Sequence, residues 1–195
     1  MLFRSELAGQ LVQFAGEGCF ILGVSSVPEA RDQKTIVACE LALALSAQQH
    51  PRVLLVEGNF EWPVVHEVMR LEMPFSLGLS QQLRSNEPPE KRSYTVIECG
   101  PTLHVIAEGI MRAPGLILSS HFEDCLRSFR SVYDLIIIDG PPVSAEVDCR
   151  ALDGLIDGAV LVSPESGSPW LVQASQIFSP KRFSTMVAVG GAHTR

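Results

Sequence analysis

FILGVSSVPEARDQKTIVACELALALSA, Phe20 to Ala47, is the stretch that decides the fold. Phe20 to Ser25 reads as a buried strand. Thr35 to Gln48, rich in Ala and Leu, reads as a helix. Between them lies the turn VPEARDQKT, Val27 to Thr35. Strand, turn, lysine-threonine and helix, in that order, suit phosphate: turn N–H groups wrap the anion, the lysine reaches outer phosphates, and the hydroxyl helps hold magnesium. Such a turn is normally glycine-rich, because its residues must accept positive φ and lie close to the ligand. Here Pro28, Glu29, Ala30, Arg31, Asp32 and Gln33 fill it, with no glycine. Taken alone, Lys34 also reads as a solvated lysine near a helix N-terminus, a poor place for a cation on dipole grounds.

Outward from this stretch the same alternation continues. Strands are expected at Val53–Glu57 (VLLVE), Leu103–Ala107 (LHVIA), Leu135–Asp139 (LIIID), Ala159–Ser163 (AVLVS) and Thr185–Val189. LIIID lacks polar alternation, as a strand covered on both faces should. Helices are expected at His121–Val132, with Phe122, Cys125, Leu126 and Phe129 on one face, and at Trp170–Phe178. Arg84–Thr95, polar and holding Pro88 and Pro89, reads as a loop, and Gly190-Gly191 as an exit. The pattern predicts an α/β three-layer sandwich, a mostly parallel sheet with helices on both faces. At 195 residues, one domain spanning 1–195 is expected.

The bulk composition sets bounds on function. Net charge is -7 with mixed signs, which argues against nucleic-acid binding driven by phosphate neutralisation. No apolar run approaches the ~20 residues that span a bilayer, and the N-terminus does not read as a signal peptide. The five cysteines are widely spaced, without a CxxC pair or zinc-ligand spacing, and read as free thiols of a reducing cytoplasm.

In a parallel sheet, ligands bind beyond the carboxyl ends of the strands. Three features fall there: the turn ending in Lys34-Thr35, Glu57-Gly58-Asn59 after the second strand, and Asp139 at the end of LIIID. Acidic side chains at such strand ends can complete a magnesium shell and orient an attacking group. Alone, Asp139 reads equally as a capping or turn residue before Gly140-Pro141-Pro142. His66 and His104 read as packing or surface residues. Trp62 and Trp170 read either as exposed partner anchors or as packing residues.

The order of further motifs is more specific: VLLVEGNFEWP with His66, GLSQQL (Gly78–Leu83), LHVIAEG (Leu103–Gly109), YDLIIIDGPPV (Tyr133–Val143), Glu146-Val147-Asp148 and IDGAVLV (Ile156–Val162). Over Phe20 to Val162 the chain resembles the bacterial tyrosine kinases of capsule and exopolysaccharide assembly, relatives of the ParA and MinD ATPases. The double proline after the acidic strand end is the most specific piece. The resemblance implies a P-loop NTPase-like fold, ATP or ADP with Mg as the ligand class, and Arg31, Gln33, Lys34 and Thr35 at the nucleotide. It places Thr35, Glu57 and Asp139 at the metal, with Glu57 and Asp139 catalytic if the site is active.

The departures from the family pattern fall on this chemistry. Both loop glycines become Arg31 and Gln33, at a cost of order 1–3 kcal/mol per strained residue if the loop geometry were kept. The family's two aspartates after the second strand become Glu57 and Asn59, and its arginine pair becomes Glu61-Trp62. The family's C-terminal tyrosine cluster has no counterpart, since the chain's tyrosines are Tyr94 and Tyr133, and Tyr133 reads as structural. The ring-forming motif E-x-x-R-x-L-R is not recognisable in FRSELAGQL, and homo-oligomerisation stays open. The resulting expectation is a non-catalytic regulatory or docking module, bound to the cytoplasmic side of a membrane chain-length or co-polymerase protein. The alternative is a Mg-ATP-dependent ATPase or protein-tyrosine kinase with a divergent loop, in which the Arg31 guanidinium offsets phosphate charge.

Overall fold

The computed structural model describes residues 2–15, 18–48, 51–72, 74, 77–84, 92–109, 111–164, 168–178 and 183–188. Helix α1 (Leu2–Val12) precedes β1 (Phe20–Ser26), and a 3-10 turn at Pro28–Ala30 runs into α2 (Arg31–Ser46). Then come β2 (Val53–Glu57), the short helices α3 (Val65–Val68) and α4 (Leu79–Leu83), β3 (Ile97–Glu98) and β4 (Leu103–Ile106). The chain continues through α5 (Ser120–Phe129), β5 (Leu135–Asp139), α6 (Glu146–Leu155), β6 (Gly158–Ser163), α7 (Trp170–Ile177) and β7 (Phe183–Ala188).

Among the described residues seven strands form one sheet in the order β3-β4-β2-β5-β1-β6-β7. All neighbours pair in parallel except the two-residue β3 at the edge. Alternate residues of each strand face opposite ways, and the helices divide accordingly. Phe20, Leu22, Val24, Val53, Leu55, Leu135 and Ile137 pack with α1 and α2. Ile21, Leu54, Val56, Ile136 and Ile138 pack with α4, α5 and α6. This is the expected three-layer sandwich. Glu57 and Asp139 fall on the α2 side by the same alternation.

Two features of the fold were not expected from the sequence. The helix after β1 begins at Arg31 rather than Thr35. With no glycine between Val27 and Thr35, no described residue there adopts positive φ, and the chain winds from the strand end into helical geometry (Val27 φ -64°, Arg31 φ -54°). Helix α1, absent from the elements expected above, buries Leu7, Ala8 and Leu11 against α2. Of the expected loop Arg84–Thr95, residues 85–91 lie outside the described residues, as do Gly190-Gly191 and the last residue of the strand expected at Thr185–Val189.

Two glycines join the carboxyl ends of the central strands. The Gly58 N–H donates to the Asp139 carbonyl (2.9 Å), and the Gly140 N–H to the Val24 carbonyl (2.8 Å). A Cβ on Gly58 would come within 2.6 Å of Ile138 Cγ2 and 3.2 Å of the Asp139 carbonyl oxygen. Gly58→Ala is therefore expected to destabilise the protein by about 1–3 kcal/mol, the usual cost of overpacking, measured as a lowered midpoint in urea unfolding.

Candidate functional site

The carboxyl ends of β2 and β5 lie in register, Glu57 opposite Asp139, beneath the start of α2. That helix carries Lys34 and Thr35 inward, and all four side chains are buried. The Lys34 ammonium pairs with Asp139 Oδ1 in a short contact. Thr35 Oγ1 donates to Asp139 Oδ2 at 2.8 Å. Lys34 Nζ also reaches Thr35 Oγ1 at 3.5 Å. Glu57 Oε2 accepts from the Val65 N–H (3.1 Å), at the start of α3, while Glu57 Oε1 and Ser26 Oγ are buried without a hydrogen-bond partner. Lys34 is 0% exposed, so the reading of it as a solvated lysine is corrected. Asp139 is likewise no simple turn cap; it is the anion that makes burial of Lys34 tolerable.

Electrostatics favour one proton on this cluster. Burial pushes the Glu57 carboxyl well above its usual range, and the neighbouring Asp139 charge adds to the effect; Lys34 and the Val65 and Val64 N–H groups pull the other way. The chemistry available is a lysine, a hydroxyl and two carboxylates at the ends of adjacent strands. That donor set fits a nucleotide phosphate with its magnesium. Among the described residues, no group of three or more His, Cys, Asp or Glu could hold a metal ion, so a cation here would rest on Thr35, Asp139 and Glu57 together with ligand oxygens.

The turn above the cluster uses its own backbone donors. The Val27 N–H bonds the Val162 carbonyl (3.0 Å), the Ala30 N–H the Val27 carbonyl (3.0 Å), and the Arg31 N–H the Pro28 carbonyl. Arg31 and Gln33, grouped with Lys34 by sequence, are not drawn into the cluster. Gln33 is half-buried. The Arg31 guanidinium lies 4.9 Å from the centre of the Trp62 ring and 3.6 Å from Asp32. Arg112 stacks on the same ring at 3.7 Å. On the other side of the turn, the Trp170 indole N–H donates to Glu29 Oε1 at 3.2 Å. Both tryptophans thus touch the turn itself. A cleft of about 290 Å³ opens beside it, lined by Pro28, Arg31, Glu61, Trp62, Pro142 and Ser144 among others.

Other residues singled out by sequence turn out to be structural. Asn59 is buried and donates to the Trp62 carbonyl (3.2 Å). His104 Nδ1 meets the Tyr133 hydroxyl at 2.6 Å, and Tyr133 is buried. His66 lies 3.9 Å from Glu67. Glu146 pairs with Arg150 (2.8 Å) on α6. Burial, then the Glu61 charge, raises the Asp148 carboxyl above its usual range. A further contact has no counterpart in the sequence analysis. Ser80 donates through its N–H and hydroxyl to the buried Glu108 carboxylate, tying GLSQQL to LHVIAEG. Glu108 follows the end of β4, but nothing local in the sequence pairs it with Ser80.

A parallel sheet with this strand order, and a lysine-threonine helix start facing an acidic strand end, define a P-loop NTPase-type domain. By sequence the chain is homologous to bacterial tyrosine-protein kinases. It is 32% identical over 131 residues to the tyrosine-protein kinase YwqD of Bacillus subtilis (strain 168), covering 66% of this chain and 53% of that protein. It is 28% identical over 155 residues to the tyrosine-protein kinase CpsD of Streptococcus agalactiae, covering 78% and 65%. The match thus spans roughly half to two thirds of these relatives. Among solved structures, the VpsO kinase domain superposes with a TM-score of 0.73 at 22% identity, covering 96% of this chain and 95% of that one. A ParA family ATPase from Chlorobium tepidum TLS superposes at 0.64 and 18% identity, covering 91% and 76%. These likenesses establish the fold. No protein-family model matches the chain.

Two outcomes follow from the cluster. Lys34→Met should destabilise by about 3–5 kcal/mol, because Asp139 is left buried and unpaired, and the double variant Lys34→Met/Asp139→Leu should regain much of that loss. A double-mutant cycle by chemical denaturation measures both. For Glu57, a folded-state affinity for protons above the unfolded one means the native protein holds the extra proton. Its contribution is full below the ordinary carboxyl value of 4.5 and is lost as pH rises toward the raised value. Stability of Glu57→Gln relative to wild type should therefore increase as pH is raised from about 4.5 through neutrality, read from unfolding curves at several pH values.

Proposed function

We propose that this chain is a regulatory or docking module built on a tyrosine-kinase-like P-loop scaffold, with a degenerate phosphate loop and no hydrolysis of its own. The observation that carries this reading is the turn from Val27 to Arg31. The Val27, Ala30 and Arg31 N–H groups bond within the chain, and Lys34, the side chain that would meet phosphate, is engaged by Asp139. The resemblance of its ordered motifs to the capsule and exopolysaccharide kinases supports a place in polysaccharide assembly. The partner in this reading is the cytoplasmic part of a membrane chain-length or co-polymerase protein, and the chain sits at the inner face of the membrane through it. Among the described residues no helix is long and apolar enough to cross a membrane, which accords with attachment through a partner. The whole domain is read as one unit.

A second reading has a specific observation in its favour. Lys34, Thr35, Glu57 and Asp139 do converge, as a Mg-ATP-dependent ATPase or protein-tyrosine kinase would need. In that case Lys34 and Thr35 would hold nucleotide, Thr35, Glu57 and Asp139 would hold magnesium, and Asp139 and Glu57 would polarise the attacking group. Bound magnesium would neutralise charge developing on the phosphates.

Phosphate release from Mg-ATP separates the two readings. The regulatory reading expects no turnover above a Lys34→Met control. Turnover abolished by Lys34→Met, together with phosphorylation of Tyr94 or of an added tyrosine peptide, would establish the second. Calorimetric titration of the wild-type protein with the cytoplasmic segment of a co-polymerase tests the docking role, and saturable binding without nucleotide is the expected result.

A further inference from the structure

We propose that the turn Pro28–Ala30 and the first turn of α2 form a latch that closes this site, and that a polyphosphate enters once two tryptophan clasps let go. The inference rests on the regulatory reading above and names what the same site would be regulated to do. Four contacts hold the turn down. Trp170 on α7 grips Glu29 through its indole N–H (3.2 Å). Trp62, after β2, holds the Arg31 guanidinium against its ring at 4.9 Å. Beneath them, Lys34 and Thr35 both bond Asp139. The clasps come from opposite sides of β1 in the sheet order, so the turn is held at both flanks.

The closed arrangement provides internally what a phosphate ligand would otherwise provide. Asp139 is the counter-ion of Lys34, and carbonyls of Val27 and Pro28 accept the N–H groups of Ala30 and Arg31. Among the described residues, Glu57 Oε1 and Ser26 Oγ are buried here without hydrogen-bond partners. An unsatisfied buried polar atom costs free energy, and a phosphate ligand with its cation would offer the Ser26 hydroxyl an acceptor and Glu57 Oε1 a positive charge. On opening, Lys34 exchanges the Asp139 carboxylate for a phosphate oxygen. Arg31, freed from Trp62, supplies a guanidinium where the turn lacks glycine N–H groups. The contacts at the clasps are solvent-accessible, Trp62 being 39% exposed, so the latch can be worked from outside the fold while the Lys34–Asp139 pair cannot.

The apparent affinity for any ligand that needs the open state is its intrinsic affinity multiplied by the fraction of open molecules. Loosening the clasps should therefore raise affinity, the reverse of what a damaged fold produces. The test compares wild type with Trp62→Leu/Trp170→Phe by calorimetric titration with Mg-ADP, and by hydrogen exchange of the 28–35 backbone. The double variant is expected to bind Mg-ADP about tenfold more tightly and to exchange faster at 28–35, and Arg31→Ala added to it should cancel the gain. Unchanged affinity overturns the latch, whether or not exchange quickens, as does a gain that survives Arg31→Ala. If the double variant does not fold, Trp170→Phe alone carries the test, since it removes only the indole donor and keeps an aromatic ring. Hydrolysis of ATP by the wild type would overturn the regulatory reading and leave the latch to be judged by the affinity ratio.

Discussion

A lysine ammonium in the interior of this protein sets the terms for everything around it. Burying a charge costs several kcal/mol after relaxation, and only a close, hydrogen-bonded counter-charge offsets that. Lys34 has such a partner in Asp139, itself steadied by the Thr35 hydroxyl. The pair demands that the end of β5, the first turns of α2 and the neighbouring end of β2 stay in one fixed relation. Gly58 and Gly140 meet that demand, because each bonds a neighbouring strand's carbonyl where a Cβ would meet packed atoms. Glu57, opposite Asp139 in register, completes the cluster in a form that burial drives toward its neutral acid.

The missing glycines connect local backbone preference to function. A phosphate loop turns its N–H groups toward a ligand by using φ values that side chains resist. Here no such residue exists between Val27 and Thr35, and the chain takes the conformation that its residue types permit, a 3-10 turn running into a helix. Helical winding spends the Ala30 and Arg31 N–H groups internally. It also brings Arg31 to the surface, where Trp62 and Trp170 have the turn between them. The residues that stand in this turn in place of glycine thus also make the contacts that hold it. The same residues serve both the regulatory reading and the latch.

Much of the architecture was legible because strand and helix periodicities are local. FILGVSS, VLLVE and LIIID could be read as strands from unbroken apolar runs, and Phe122, Cys125, Leu126 and Phe129 as one helix face, since each signal lies within about ten residues. Helix α2 starts four residues before the expected Thr35, because Arg31 to Gln33, where a phosphate site needs a loop, wind into helical geometry. Helix α1 went unassigned, its buried face consisting of three residues, Leu7, Ala8 and Leu11, held by α2. The contacts Trp170–Glu29 and Ser80–Glu108 join residues 141 and 28 positions apart, and no local pattern announces such pairs.

The sequence by itself determined the layered architecture, the positions of Lys34 and Thr35 near a helix start and of Glu57 and Asp139 at strand ends, and the absence of glycine between Val27 and Thr35. These follow from period, composition and residue type, which are properties of short segments. Only the tertiary structure decided what those residues do to one another. Lys34 could have been a solvated cation; it is a buried one because α2 turns it onto a sheet whose β5 ends in a carboxylate. Arg31 could have stood in for the missing glycines; in the folded chain its guanidinium lies on Trp62. Charge pairing and desolvation depend on distances set by packing, and a linear order of residues carries no such distances.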